Sequence, residues 1–121
     1  MFDAMATILY GIPNCDTVKK ARTWLDRNGI TYAFHDFKKA GIERAMIEIW
    51  LADVAWDVLV NRKGTTWRGL SDERKAAVKD SASAADVMLE SPSVIKRPVL
   101  NIGGHTHVGF SDELYQQIFK K

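Results

Sequence analysis

The most reactive side chain in this sequence is its only cysteine, Cys15, which lies in the segment "YGIPNCDTVKKA" at residues 10–21. The apolar run "ATILYGI" predicts a short buried strand that stops at Gly11 and Pro13, and a helical period begins directly after Cys15. Backbone N–H groups at a helix start, together with the helix dipole, lower the pKa of a thiol below its free value of about 8.5. Lys19, one helical turn further on, is expected to lower that pKa as well. We therefore interpret Cys15 as a nucleophile, although a lone cysteine is more often a buried structural residue.

A redox cycle between two cysteines of the same chain is excluded, because there is only one cysteine. The positions that would complete a Cys-x-x-Cys pair are occupied by Ile12 and Val18. Any disulfide formed by Cys15 must therefore involve another molecule, and glutathione is the cellular thiol available in quantity.

A second chemical feature is the segment "KRPVL", in which Pro98 follows Arg97 at the start of a predicted strand. Proline at such a position can take a cis peptide bond. A proline opposite a helix-capping cysteine is the arrangement of thioredoxin-type active sites, in which the backbone before the proline pairs with a thiol substrate. We therefore predict a cis bond between Arg97 and Pro98, close to Cys15.

The elements that must position these residues follow from hydrophobic periodicity. A strand, about a dozen helical residues and the alternating segment "ITYAFHDF" predict a βαβ unit with parallel strands. A long helical segment follows, in whose first helix Ile42, Ala45, Met46 and Ile49 are expected to form the packing face. The chain then predicts a hairpin around Gly103-Gly104 and a last helix capped by Ser111.

The overall order is therefore β-α-β, a helical insertion at about residues 41–91, and β-β-α. No internal repeat and no flexible linker divides the chain. This order predicts an α/β fold with a four-stranded mixed sheet, in a single domain spanning residues 1–121.

Composition restricts the function classes. The chain is 46% hydrophobic and 26% charged with a net charge of +2, which is typical of a globular protein. This charge is too balanced to indicate nucleic-acid or membrane binding, and no apolar run reaches the roughly 18 residues of a membrane span. A signal peptide is not evident, so we expect a cytoplasmic protein, with Met1 or Met5 as its start.

Two histidines, His105 and His107, alternate on one predicted strand and have a spacing that could bind a metal ion. No third histidine or cysteine lies nearby in the sequence. We therefore interpret them as an ordinary hairpin surface and predict no metal site.

Three blocks, "LYGIPNCDTVKKARTWL", "LVNRKGTTWRGL" and "SPSVIKRPVLNIGG", resemble the ArsC/Spx superfamily and, within it, the YffB-like branch of small arsenate-reductase-related proteins. The resemblance extends from about residue 7 to residue 121. It implies a thioredoxin-like fold with a helical insertion between the second and third strands. It also implies a cytosolic thiol reductase in which Cys15 is the redox nucleophile.

In the arsenate reductases of this superfamily, three arginines hold the oxyanion that a cysteine attacks. The resemblance places the first at Arg62 and the second at Arg97, and both guanidinium groups could bind an anion or a glutathione carboxylate. The third position falls near "HVGFSD", where Phe110 or a neighbour takes its place. With Cys15 as the catalytic residue, the expected substrate-binding residues are Asn14, Lys19, Arg62, Arg97 and Pro98.

The leading hypothesis is a glutathione-dependent thiol reductase that forms and resolves a mixed disulfide at Cys15. We expect a monomer without a bound cofactor, whose co-substrate is glutathione and whose substrate is a disulfide or a small oxyanion. One alternative is a glutathione- or glutaredoxin-linked arsenate reductase. The other is a non-catalytic RNA polymerase-binding regulator of the Spx type, although such proteins typically carry the Cys-x-x-Cys pair that is missing here.

Overall fold

Residues 6–121, the part of the chain that the computed structural model describes, are built around a mixed sheet with the strand order β2-β1-β3-β4. The central strands β1 and β3 are antiparallel, β1 and β2 are parallel, and β3 and β4 form the hairpin. The strands are β1 (Thr7–Gly11), β2 (Ala33–Asp36), β3 (Val99–Ile102) and β4 (His105–Val108). The alternative start at Met5 lies outside the described residues.

Seven α-helices are present in residues 6–121. Helix α1 connects the two parallel strands, five helices form the insertion between β2 and β3, and α7 follows the hairpin. Their bounds are α1 (Asp16–Arg27), α2 (Arg44–Asp53), α3 (Trp56–Leu59), α4 (Thr65–Arg68), α5 (Asp72–Ala76), α6 (Ser81–Glu90) and α7 (Asp112–Phe119). A 3₁₀ helix, Pro92–Val94, follows α6.

This order confirms the thioredoxin-like α/β fold with a four-stranded mixed sheet and a helical insertion. The hairpin turn is confirmed as well, because Gly103 and Gly104 have φ angles of 54° and 90°, which suit glycine. Ser111 caps α7 by accepting a hydrogen bond from the Leu114 N–H at 3.0 Å.

The sheet separates two hydrophobic cores. Neighbouring residues of a strand point to opposite faces, so Val99 belongs to the core under the insertion while Leu100 belongs to the core under α1 and α7. Leu9 of β1 pairs with Leu100 and is fully buried on the same side. The two sides of the sheet are therefore both covered, and β1 is held in place by packing up to the point where Cys15 follows.

The packing face of α2 differs from the sequence prediction. Ile47 and Trp50 are buried, whereas Ile49 is 52% exposed and Ala45 is exposed. Ile42 precedes the helix, which begins at Arg44. Ile42 and Met46 do pack against the core as predicted, whereas Ala45 and Ile49 do not, because the buried face of the helix is centred on Ile47 and Trp50.

Tyr115 in α7 is fully buried, and Leu114, Ile118 and Phe119 of the same helix pack, partly buried, against the same core. The Tyr115 ring meets Trp24 and Phe110 edge to face, at centroid distances of 5.5 and 4.7 Å. Its hydroxyl finds no hydrogen-bond partner among the described residues, and burial raises its pKa well above the usual value.

We expect the Tyr115→Phe variant to be more stable than the wild type by about 1 kcal/mol, because it removes a buried hydroxyl that forms no hydrogen bond. Urea unfolding measures the difference. The matched control is Tyr32→Phe, which removes a hydroxyl that accepts a hydrogen bond from Arg22 Nε at 3.0 Å and should not stabilise the protein. A loss of stability in Tyr115→Phe would show that this hydroxyl has a partner.

Candidate active site

Cys15 is the N-cap residue of α1, as predicted. Its backbone is extended, with φ −110° and ψ 126°, and its carbonyl accepts the first helical hydrogen bond from the Lys19 N–H at 2.9 Å. The Cys15 N–H donates to the Ile12 carbonyl at 3.2 Å and closes a turn through Pro13 and Asn14. This turn reverses the chain between β1 and α1, so the half-buried sulfur lies at the positive end of the helix.

The local environment lowers the pKa of the Cys15 thiol. Partial burial is the largest single effect and by itself raises that pKa. The backbone N–H of Val18, the Arg97 guanidinium and the backbone N–H of Thr17 each favour the thiolate form and lower that pKa. Together with the positive charge of Arg97, these donors outweigh the burial and bring the pKa below its ordinary value.

Arg97 is held next to Cys15 from the other side of the site. Its Nη1 donates a hydrogen bond to the Ser93 carbonyl at 3.1 Å. Its Nε is buried and has no hydrogen-bond acceptor among residues 6–121. The peptide bond from Arg97 to Pro98 is cis, which confirms the prediction. The Pro98 carbonyl accepts the Gly109 N–H at 2.9 Å, so the proline segment is tied to the end of the hairpin.

A cavity of about 260 Å³ opens beside Cys15. Its remaining lining residues come from four parts of the chain: Thr17, Asn61, Lys96, Arg97, Gly109 and Phe110. Two of them are cationic and none is acidic. The cavity therefore combines a stabilised thiolate with a positively charged wall, which suits an anionic thiol or disulfide.

Several lining residues were not predicted from the sequence. Lys96 directly precedes Arg97, and Asn61 directly precedes Arg62, so both lie in segments that had been singled out. Gly109 has a φ of 84°, and a Cβ there would come within 3.4 Å of the Lys96 side chain. The glycine in "HVGF" indicates a special backbone conformation at that position. The sequence does not show that the Lys96 side chain lies next to it.

Arg62 does not line the cavity, contrary to the prediction. Its guanidinium lies over the Trp56 ring at 5.8 Å from the centroid and 4.0 Å from the Asp57 carboxylate. The reason is the pairing of this segment with the strand that leads to Arg97: the Asn61 N–H donates to the Val94 carbonyl at 2.7 Å. The chain then enters a turn in which the Gly64 N–H donates to the Asn61 carbonyl at 3.2 Å, so Asn61 lines the cavity and Arg62, within the turn, does not.

Lys19 also differs from the expectation. It is not among the groups that lower the Cys15 pKa, and it lines a separate groove between α1 and α7. Cys15 has an extended rather than a helical backbone, so the neighbour relation between residues four apart in a helix does not apply to it. Asn14 is exposed in the turn before Cys15, where it leaves the sulfur accessible.

We expect alkylation of Cys15 to show a midpoint below pH 8.5, the approximate pKa of a free thiol, because the hydrogen-bond donors around the sulfur favour the thiolate. The measurement is the rate of reaction with iodoacetamide as a function of pH. A midpoint at or above about 8.5 would contradict the assignment of these donors.

Two further observations concern the described residues only. No group of three or more histidine, cysteine, aspartate or glutamate side chains in residues 6–121 is arranged to hold a metal ion. Over the same residues, none of the helices has the length and apolar character needed to cross a bilayer.

The ArsC family model matches residues 10–118 of this chain. An uncharacterised protein of Haemophilus influenzae is 40% identical over 111 residues, which are 92% of this chain and 96% of that protein. A solved structure described as a YFFB protein is 49% identical and superposes with a TM-score of 0.88, covering 93% of this chain and 97% of that one.

The solution structure of an arsenate reductase (ArsC)-related protein from Brucella melitensis is also similar. It is 46% identical, with a TM-score of 0.75 and coverage of 97% of both chains.

Proposed function

This chain belongs to the ArsC family, and we propose that within this family it is a thiol reductase that uses Cys15 as its nucleophile and glutathione as its co-substrate. The family and its arsenate-reductase-related relatives support an oxidoreductase role of the thiol or arsenate reductase type. The observation that carries the finer proposal is the Cys15 sulfur at the start of α1, with a lowered pKa and with Arg97 beside it.

The reaction needs one cysteine and two thiol-disulfide exchanges. The Cys15 thiolate attacks the glutathione sulfur of a mixed disulfide between glutathione and another thiol. The bond between those two sulfurs breaks, the substrate thiolate leaves and takes a proton from solvent, and Cys15 is now bonded to glutathione. The thiolate of a second glutathione attacks that same sulfur, which releases oxidised glutathione and restores the Cys15 thiolate.

The residues around the sulfur support each of these steps. The N–H groups of Thr17 and Val18 stabilise the thiolate both as attacking group and as leaving group. Arg97 and Lys96 provide positive charge for the carboxylates of glutathione. In this proposal the backbone of Arg97, before cis-Pro98, pairs with the backbone of the bound thiol.

Incubation with oxidised glutathione followed by intact-mass spectrometry tests this proposal. We expect one glutathione per chain, bound at Cys15, and release of that adduct when reduced glutathione is added. A protein that stays unmodified while a free cysteine peptide is modified would rule the proposal out. Dithiothreitol treatment is the control, because it must remove any adduct joined through a disulfide.

Arsenate is expected to be a poor substrate, because of the arginines in residues 6–121 only Arg97 lines the cavity beside Cys15: Arg62 lies outside it and Phe110 is part of its wall. Each hydrogen bond to a charged group contributes about 1.5–3 kcal/mol in favourable settings, so one missing donor weakens binding by roughly tenfold or more. We expect the Phe110→Arg variant to increase the rate of glutathione-dependent arsenate reduction about tenfold.

The control for that substitution is Phe110→Leu, which removes the ring contact with Tyr115 without adding charge and should leave arsenate reduction slow. If the wild type already reduces arsenate with glutathione as fast as a relative with three arginines, the argument from Phe110 is wrong. In that case the arsenate reductase alternative takes its place.

A further inference from the structure

A second and larger groove, of about 720 Å³, lies between α1 and α7 next to the Cys15 cavity. Phe110 lines both the cavity and this groove, which we call the α1–α7 groove. Trp24 also contributes to its wall. The α1–α7 groove is therefore adjacent to the Cys15 cavity, with Phe110 between them.

The charge of the α1–α7 groove is strongly one-sided. Three cationic side chains line it, Lys19, Lys20 and Arg27, against the single carboxylate of Asp112. All three cations are exposed, and within residues 6–121 none of them forms an ion pair within 4.0 Å. The cations are therefore available to a partner that carries negative charge.

The length of the α1–α7 groove distinguishes between two anionic partners. Cys15 caps the first turn of α1 and Arg27 is its last residue, 12 residues later, which corresponds to about 18 Å along the helix. A fully extended tripeptide such as glutathione spans only about 10 Å. Lys20 lies only about 7.5 Å along the helix, within the reach of glutathione, whereas Arg27 can be reached only by a longer polypeptide.

We propose, on the basis of the thiol reductase function above, that the α1–α7 groove binds an acidic segment of the polypeptide whose disulfide or glutathionylated cysteine reacts with Cys15. Aspartate or glutamate side chains of that segment meet Lys19, Lys20 and Arg27. An apolar side chain packs against Trp24 and Phe110. The groove thereby selects among protein substrates, while the 260 Å³ cavity holds the group that reacts.

Two peptides test this proposal: one with aspartates and a leucine beside a central cysteine, and one with asparagines in place of the aspartates. Binding is measured by fluorescence anisotropy, with serine replacing the cysteine so that the result does not depend on reactivity. The reaction is measured separately, with the cysteine joined through a disulfide to thionitrobenzoate. Attack by Cys15 on the peptide sulfur releases the coloured thiolate and leaves the peptide bonded to Cys15.

We expect the acidic peptide to bind and react about fivefold to tenfold better than the neutral peptide at low salt, and this preference to shrink as salt is added. The double variant K20Q/R27Q should abolish the preference without changing the reaction with bis(2-hydroxyethyl) disulfide. The matched control is K38Q/K39Q, which removes the same charge from an exposed turn outside the groove and should keep the preference.

Equal binding of the two peptides overturns the proposal, as does a preference that K20Q/R27Q retains or that K38Q/K39Q loses to the same extent. Suppression of the preference by S-methylglutathione would assign the groove to glutathione instead. Tighter binding of an oligonucleotide of equal charge would assign it to nucleic acid. Failure of Cys15 to react with any disulfide would contradict the thiol reductase function, while the anisotropy result would still decide the groove.

Discussion

Replacing Cys15 by serine is expected to abolish both the formation of a glutathione adduct and all turnover of mixed disulfides. The substitution removes the chain's only thiol, and a serine hydroxyl is not ionised near neutral pH, so it cannot attack a disulfide sulfur. The fold should be unaffected, because serine is a favourable N-cap residue, as Ser71 and Ser111 show in α5 and α7. The measurements are intact mass after treatment with oxidised glutathione and turnover coupled to glutathione reductase.

A matched control moves the thiol to another helix N-cap. The double variant C15S/S71C again has one cysteine, now at the start of α5 in the insertion. Arg97 and its cis bond to Pro98 are not next to this position in the sequence. We expect its thiol to alkylate but its mixed-disulfide turnover to stay at the level of Cys15→Ser. Turnover by C15S/S71C close to that of the wild type would mean that a thiol at any helix start is sufficient and that the cavity is not required.

Replacing Arg97 by methionine is expected to raise the pKa of Cys15 and to slow mixed-disulfide turnover about 10- to 100-fold. Both effects follow from losing the Arg97 guanidinium, which lowers the pKa of Cys15 as a donor and as a positive charge. A hydrogen bond to a charged group contributes about 1.5–3 kcal/mol in favourable settings. Arg97 favours the thiolate form of Cys15. Without Arg97 the pKa of Cys15 rises towards the free value of about 8.5, so a smaller fraction of the thiol is ionised at neutral pH. Alkylation rates as a function of pH report the pKa directly.

Arg97→Lys separates charge from geometry, because it keeps the positive charge and loses the planar group that also bonds to the Ser93 carbonyl. We expect its pKa and turnover to lie between those of the wild type and Arg97→Met. Arg62→Met is the second comparison, and it should change turnover by less than about twofold, since exposed ion pairs of this kind contribute little. Equal losses in Arg62→Met and Arg97→Met would show that Arg62 does reach the reacting atoms.

The local pattern of the sequence is sufficient for the elements around the site. A buried strand followed by a helix can be read from the change of hydrophobic period, and the residue at that change, Cys15, is the N-cap of α1. The hairpin at Gly103-Gly104 and the cis bond before Pro98 depend on the conformational preferences of single residues, which are also local. The resemblance of three sequence blocks to the ArsC/Spx superfamily supplied the thioredoxin-like topology, which the strand order confirms.

Local sequence pattern does not indicate which cation lies beside the Cys15 sulfur, because this depends on contacts between segments that are far apart in the sequence. Lys19 is close to Cys15 along the chain, yet the structure places Arg97 beside the sulfur, since β3 pairs with β1 and carries the segment before it to the start of α1. Arg62 turns away because residues 59–61 pair with residues 94–96, so that Asn61 takes the position on the cavity wall.

The sequence by itself therefore determined the position of Cys15 at the start of α1, the elements that flank it and their order along the chain. Hydrophobic period, helix capping and turn preference act between neighbouring residues, and the family motifs are contiguous. Only the tertiary structure decided the set of side chains around Cys15, the orientation of Ile47 and Trp50 in α2, and the α1–α7 groove. These depend on strand pairing and on the rotation of each helix against the sheet. A rotation of a helix by one residue changes which side chains meet while leaving its hydrophobic period the same.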